Sequence, residues 1–419
     1  MFPVVFCLYV IAHTVNRLAG STICIQLFRS RCKNRALSMI RRGAFIFSIQ
    51  FSTQTFASEF NFIYLAFLDL KTTIFYLCAM KKSPITIKDI ARALNISPST
   101  VSRALQSHPD ISIATREAVQ AYAKEHHYKP NGLALSLRTN KNKTIGVIIP
   151  EIVHYFFSSV LAGIEEVSDQ EGYNVIVCQS GENYDKEVRN TEALISSRVS
   201  GVLASLSKNT TNYDHFQEIV DSDIPLVFFD RICIGILTDK VVVDDYAGAF
   251  AATEYLIGTG CSRIAFFSSP PHLEISKNRK NGYLDALRKH KIEIDVSLIR
   301  ICDTREEAIR VTPEFLGQEN PPDAFFAIND QCAAGILYAV KRSHFKVPDD
   351  ISIFGFSDGE FALASDPMLS TVEQHGFEMG VHAAKLLISK IKGETQGKYT
   401  NKIIKTNLKL RGTTRPLIQ

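Results

Sequence analysis

The stretch TIKDIARALNISPSTVSRAL, residues 86–105, carries the punctuation of two short helices joined by a tight turn. Thr86 can cap a helix over residues 87–94, because its hydroxyl accepts from a backbone N–H that the first turn leaves without a partner. Ile90, Ala91 and Leu94 recur at helical spacing and give that helix one apolar face. Asn95 tolerates the left-handed backbone of a tight turn, and Ile96 is expected to bury within it. Ser97 then caps a second helix with Pro98 at its first position, where a missing N–H costs nothing. Val101 and Leu105 are expected to face inward, leaving Ser99, Thr100, Ser102 and Arg103 outside. Two short helices at this spacing form a helix-turn-helix, whose second helix enters the major groove of DNA.

Outward from this pair, Ser112 caps a third helix over residues 113–126, closed on the first two by Val119 and Ala123. Tyr128-Lys-Pro-Asn131 follows, then a short helix over residues 132–138 capped by Asn131, and a polar linker over 139–143. Three packed helices can be a purely structural unit. Charge argues for more: residues 80–143 hold 11 Lys/Arg and 4 Asp/Glu, a net +7, and neutralising phosphates requires such an excess.

The same residues carry a family resemblance. The 86–105 stretch, Thr115-Arg116, Tyr128-Lys-Pro-Asn131, Ala134 and Leu137 closely resemble the head of the LacI/GalR (lac-repressor-type) family, and the resemblance extends through residues 84–415. It implies that Pro98, Ser99 and Arg103 read base edges; an arginine can donate two parallel hydrogen bonds to guanine. It implies that Thr86, Lys88, Thr100, Ser102 and Asn131 contact the DNA backbone, setting register rather than sequence. Leu137 matches the hinge-helix leucine that wedges into the minor groove and kinks the operator.

The resemblance leaves residues 1–79 uncovered. They hold 11 of the 27 Phe, 4 of the 9 Cys and a net +6. No apolar run there reaches the 18 or so residues of a membrane span, and no basic start precedes Phe2 as a signal peptide requires. Upstream sequence read in frame, with translation starting at Met80, is the reading adopted; a membrane-associating extension and an ordered extra element are the alternatives. The expected domains are therefore a doubtful extension (1–79), a helix-turn-helix (84–129), a hinge helix and linker (130–143) and a body (144–419).

From Thr144 apolar runs alternate with amphipathic stretches, and the net charge is −9. Strands are expected at 145–149, 174–178, 201–206, 226–229, 241–243, 264–268, 298–301, 324–328 and 351–355. Helices are expected between them, among others at 157–170, 185–197, 246–259, 278–290, 305–316, 331–342 and 377–392. Such alternation implies α/β parallel sheets with helices on both faces, and about 275 residues suits two lobes better than one sheet. Ligands in these folds bind beyond the carboxyl ends of strands. The residues there are Phe156, Phe157, Asp230, Arg231, Arg279, Asn329, Asp330, Ser357 and Asp358. Together they resemble the effector pocket of the family and of its periplasmic sugar-binding relatives. There an aromatic ring packs on the sugar while Asp, Asn and Arg bond its hydroxyls.

The chain departs from that pattern at Ser357, where several sugar-responsive members carry a carboxylate, and at Cys261, where histidine is common. The run Leu408-Lys-Leu-Arg-Gly-Thr-Thr-Arg415 matches the family's last strand, and no leucine heptad follows it, which implies a dimer. No HExxH or Walker loop is present. No metal-ligand spacing or CxxC pair occurs, so no cofactor is expected. Cys178, Cys233, Cys261, Cys302 and Cys332 lie in or beside apolar runs, as reduced cytosolic thiols do. The expected protein is a cytoplasmic, non-enzymatic, homodimeric regulator. It would bind double-stranded operator DNA and a small, carbohydrate-like effector, with no membrane association. An exported binding protein leaves the basic head without purpose, and a sugar-modifying enzyme on an α/β scaffold is the second alternative.

Overall fold

Residues 85–128, 143–395, 397 and 399–418 are described by the structure, a computed structural model. The expectations for residues 1–79, for the hinge helix at 132–138 and for Asn131 and Leu137 lie outside the described residues. The chain divides into two units, one ending at His126 and one beginning at His127.

In the first unit α1 (Ile87–Ala93), α2 (Pro98–Leu105) and α3 (Ile113–Glu125) form where the caps place them. The Thr86 hydroxyl accepts from the Asp89 N–H, and the Asp89 carboxylate accepts from the Thr86 N–H at 3.0 Å, a reciprocal capping box. Ser97 and Ser112 accept from the Thr100 and Thr115 N–H groups. Asn95 turns the chain with φ 50°. Ile90, Ala91, Val101, Ala104, Val119 and Ala123 make the small core. Leu105, expected inside, is only half-buried. Val101 and Ala104, three positions apart, already fill the inward face of an eight-residue helix.

The second unit begins with β1 (Thr144–Ile149), α4 (Tyr155–Gln170), β2 (Asn174–Gln179), α5 (Tyr184–Ser196), β3 (Gly201–Ala204), α6 (Asp214–Asp221), β4 (Leu226–Phe229) and β5 (Asp239–Val243). The chain continues with α7 (Asp245–Gly258), β6 (Ile264–Ser268), α8 (Glu274–Lys289), β7 (Ile299–Ile301), α9 (Arg305–Leu316), β8 (Ala324–Ala327), α10 (Asp330–Lys341), β9 (Ser352–Ser357), α11 (Glu360–Ala364) and β10 (Ser370–Glu373). It ends with α12 (Gly376–Ile391), β11 (Asn401–Ile404) and β12 (Asn407–Lys409). Two six-stranded sheets result, ordered β11-β5-β4-β3-β1-β2 and β12-β10-β9-β8-β6-β7. The chain passes between lobes at β5 to α7, at β10 to α12 and at β11 to β12.

Every pairing is parallel except that of β12 with β10. The expected last strand is thus a three-residue antiparallel edge rather than a run to Arg415. Helix α8 starts about a turn earlier than expected, at Glu274, and α6, α11, β10 and β11 were not foreseen from periodicity. All four are short, and a segment of four to eight residues gives periodicity little to act on.

Each lobe has its own core. In the first, α4 and α12 pack on Val147, Leu203, Val227 and Val241. Their backbones approach closely: a Cβ on Gly380 would stand 2.0 Å from the Val160 carbonyl oxygen, and one on Gly163 would stand 2.2 Å from that of Phe377. In the second lobe Tyr283 stacks on Phe266 at 5.1 Å, and Phe266 packs on Phe326 at 5.3 Å. These rigid cores hold the carboxyl ends of the strands in place, and the loops that leave those ends form the cleft.

Candidate functional site

Two sites can be built from these elements, one in each unit. On the head, Pro98, Ser99 and Arg103 are exposed on α2, while Val101 and Ala104 pack inward. The exposed face therefore presents Pro98, Ser99, Ser102 and Arg103 together, as successive steps of about 100° require. The Thr86 hydroxyl donates to Asp89 at 2.6 Å, so that side chain also works inside its own helix cap. Ser97 holds the Ser99 and Thr100 hydroxyls at 2.7 and 2.8 Å, which fixes the first turn of α2. Lys88 is exposed in the first turn of α1. Among the described residues Arg103 forms no ion pair, so its guanidinium remains available to an outside acceptor.

In the body a cavity of about 290 Å³ lies between the lobes. It is walled by the residues that leave the strands at their carboxyl ends: Phe156 and Phe157 after β1, Glu182 after β2, Lys208 after β3 and Asp230 and Arg231 after β4. The second lobe supplies Ser269, Asp303, Asn329 and Ser357 from the same ends of β6 to β9, Gln374 after β10, and Arg279 from α8. Phe156 and Phe157 meet edge to face at 5.3 Å, giving one wall an aromatic surface.

The charges of the cleft are paired. Arg231 holds Glu182 at 2.7 Å. Lys208, from the first lobe, reaches Asp303 of the second at 3.0 Å. Arg279 grips Asp245 through Nε and a terminal nitrogen, both at 2.7 Å, donates to the Ile328 carbonyl at 2.5 Å, and lies 3.6 Å over the Phe356 ring. Burial pushes the Asp245 carboxyl up to about 6 against the opposing pull of Arg279. Burial also pushes the His154 imidazole down, opposed by Glu151 at 3.1 Å, which favours the neutral ring.

Asp230 is the exception. It is 5 % exposed and lines the cavity, yet its carboxylate forms no hydrogen bond or ion pair among the described residues. Burial raises its pKa, while Arg231 and Arg279 pull it down. Its backbone is left-handed, with φ 57°. Non-glycine residues held in this region concentrate at binding and switch sites.

Seven of the nine residues expected at the effector site meet at this cavity: Phe156, Phe157, Asp230, Arg231, Arg279, Asn329 and Ser357. Asp330 and Asp358 do not. Asp330 is buried behind the wall, accepting from the Thr371 hydroxyl at 2.6 Å, the Gly359 N–H at 2.9 Å and the Ser357 hydroxyl at 3.4 Å. Asp358 turns away to Arg411 at 2.7 Å. In both cases partners inside the fold take the carboxylate that strand-end placement had assigned to a ligand. Glu151, His154, Glu182, Lys208, Asp303 and Gln374 line the cavity and were missed. The available signal was again position just past a strand end, applied to too few strands. Among the described residues no cluster of His, Cys, Asp or Glu is placed to hold a metal ion.

Comparison with known proteins identifies the family of each part. Residues 86–131 match the bacterial regulatory proteins of the lacI family, and residues 253–414 match a periplasmic binding protein-like domain. The chain is 32 % identical over 319 residues to the HTH-type transcriptional repressor PurR of Vibrio atlanticus, covering 75 % of this chain and 94 % of that protein. It is 32 % identical over 333 residues to the HTH-type transcriptional repressor CytR of Escherichia coli K12, covering 79 % and 97 %. Among solved structures, the lac repressor dimer bound to operator and the anti-inducer ONPF matches with a TM-score of 0.70 at 25 % identity, over 80 % of this chain and all of that one. A complex of the transcriptional regulator CelR with cellobiose matches with a TM-score of 0.61 at 26 % identity, over 78 % and 99 %. With a capped helix-turn-helix head and a two-lobed body of periplasmic-binding type, this chain belongs to the lacI family of bacterial transcription regulators, DNA-binding proteins controlled by a ligand.

Proposed function

We propose that the protein is a repressor that works as a homodimer on a pseudo-palindromic operator and is controlled by a sugar or sugar derivative bound between the lobes. The observation that carries the effector reading is Asp230, a buried carboxylate without a protein partner, facing a cavity at the meeting strand ends of both lobes. A group so placed is costly to keep unless something bonds it, and a ligand with hydroxyl donors supplies that bond. Phe156 and Phe157 give the sugar face an apolar wall, and Arg231, Arg279, Asn329 and Ser357 surround its hydroxyls. The similarity to a CelR complex with cellobiose supports a carbohydrate effector.

On the head, Arg103, with Pro98 and Ser99, reads base edges. Thr86, Lys88, Thr100, Ser102 and Asn131 hold the DNA backbone, and Leu137 wedges into the minor groove from the hinge helix. Twofold symmetry of the protein would match twofold symmetry of the operator. Exposed apolar side chains on edge strands of both sheets, Ile176 and Val177 on β2 and Ile301 on β7, support pairing of two copies. Ligand binding then favours one arrangement of the lobes over the other and so changes operator affinity; coupling of this kind requires different affinities for the two arrangements. A mobility-shift assay on the promoter fragments flanking its own gene, with and without sugars that raise its melting temperature, tests this reading. Retarded DNA that such a sugar releases or stabilises supports it, and no retardation on any fragment at moderate salt refutes it.

A further inference from the structure

The charge arrangement of the cleft says which sugars it takes. Three cations line it, and each already faces a carboxylate of the protein: Arg231 on Glu182, Lys208 on Asp303 and Arg279 on Asp245. Arg279 is further held by the Ile328 carbonyl and the Phe356 ring. Helix α9, which opens on the cleft, brings the acids Glu306 and Glu307 in its first turn, and Glu306 lines the cavity. Helix α4 has none, but Glu151 stands just before it on a His154 that burial keeps neutral. What remains among the described residues without a hydrogen bond or ion pair of its own is Asp230, buried in the wall, with Arg231 and Arg279 acting on it only through space. A phosphate placed here would lose its water, meet an unpaired carboxylate and find no free cation, which is how unpaired like charges reject a wrong partner.

Resting on the effector reading above, we infer that the cleft selects uncharged, hydroxyl-bearing sugars or glycosides and rejects their phosphate esters, with the Asp230 carboxylate accepting two neighbouring hydroxyl groups. The two oxygens of a carboxylate match a pair of adjacent O–H donors, and a site with that acceptor in place discriminates strongly against ligands that lack the donors. Among the described residues that line the cavity every lysine and arginine already holds a carboxylate of the protein, so an anion would have to compete with that carboxylate for its partner.

The experiment is a calorimetric titration of the full chain with D-ribose, D-glucose, cellobiose, ribose 5-phosphate and glucose 6-phosphate, repeated on Asp230→Asn. Asparagine tolerates the left-handed backbone at this position, and an unchanged melting temperature of the ligand-free variant checks that it folds. The expected result is binding of an uncharged sugar, with its phosphate ester weaker by about tenfold or more. Asp230→Asn should weaken the uncharged sugar and narrow the gap to its ester, a change that a merely structural role for Asp230 would not produce. An ester that binds as tightly as its parent sugar overturns this inference and leaves the effector reading standing. Failure of all five probes to bind counts against a carbohydrate effector and removes both.

Discussion

Replacing Asp303 by asparagine tests how the cleft is held shut. The Lys208–Asp303 pair joins the two lobes, so its attraction exists only when they are closed. At 3.0 Å and an effective dielectric of ~20, the gross attraction is about 5 kcal/mol. The side chains are 25 % and 12 % exposed, so part of that is offset by lost hydration, and the amide oxygen of the substituted side chain can still accept from the ammonium. The net loss should be about 1–2 kcal/mol, a shift of roughly 5–30-fold in the closed-to-open ratio. Affinity for a ligand that binds the closed arrangement falls with the fraction closed. Titrating the bound sugar into Asp303→Asn, Lys208→Met and the double variant separates the pair from the individual side chains. In ligand-free Asp303→Asn, amides of the loops around Lys208 and Asp303 should exchange with solvent faster. Additive effects in the double variant, or a dissociation constant unchanged in Asp303→Asn, would falsify the latch.

Three further outcomes are expected. Arg103→Ala should cost about 1–3 kcal/mol at one operator base and relax specificity there; equal weakening on all sequences in a mobility-shift series contradicts base reading. Gly380→Ala should destabilise the body by about 1–3 kcal/mol or more in urea unfolding, because its Cβ meets a backbone carbonyl that cannot move aside; an unchanged midpoint refutes the close packing of α4 on α12. Asp330 should make stability fall with rising pH. Burial raises its carboxyl from 3.8 to about 6. Between those values the folded chain keeps a proton that the unfolded chain has released, so Asp330 favours folding least above pH 6. Relative to the parent, Asp330→Asn should gain on the order of 2–3 kcal/mol between pH 4 and pH 7. A difference independent of pH rules this out.

What could be read from the sequence was whatever a few neighbouring residues decide. Thr86, Ser97 and Ser112 cap helices because each partner N–H lies three residues along the same chain. Asn95 turns because of its own side chain. The central strands β1, β3, β4, β6, β8 and β9 appear as apolar runs because both faces of each are covered, and the carboxyl ends of the strands mark the cleft. The short strands β10 to β12 were not legible as a set, since a run of three or four residues takes its structure from the strand it pairs with. Tertiary structure alone decided which carboxylates are free. Asp330 and Asp230 both end apolar strands and look alike in sequence, yet Thr371 and Gly359 close around the first and nothing closes around the second. Lys208 and Asp303 are 95 residues apart, and only the folding of both lobes makes them a pair. Caps and strand patterns are set within a turn or a pleat. The partner of a buried charge is set by whatever the fold brings within about 4 Å, from any distance along the chain.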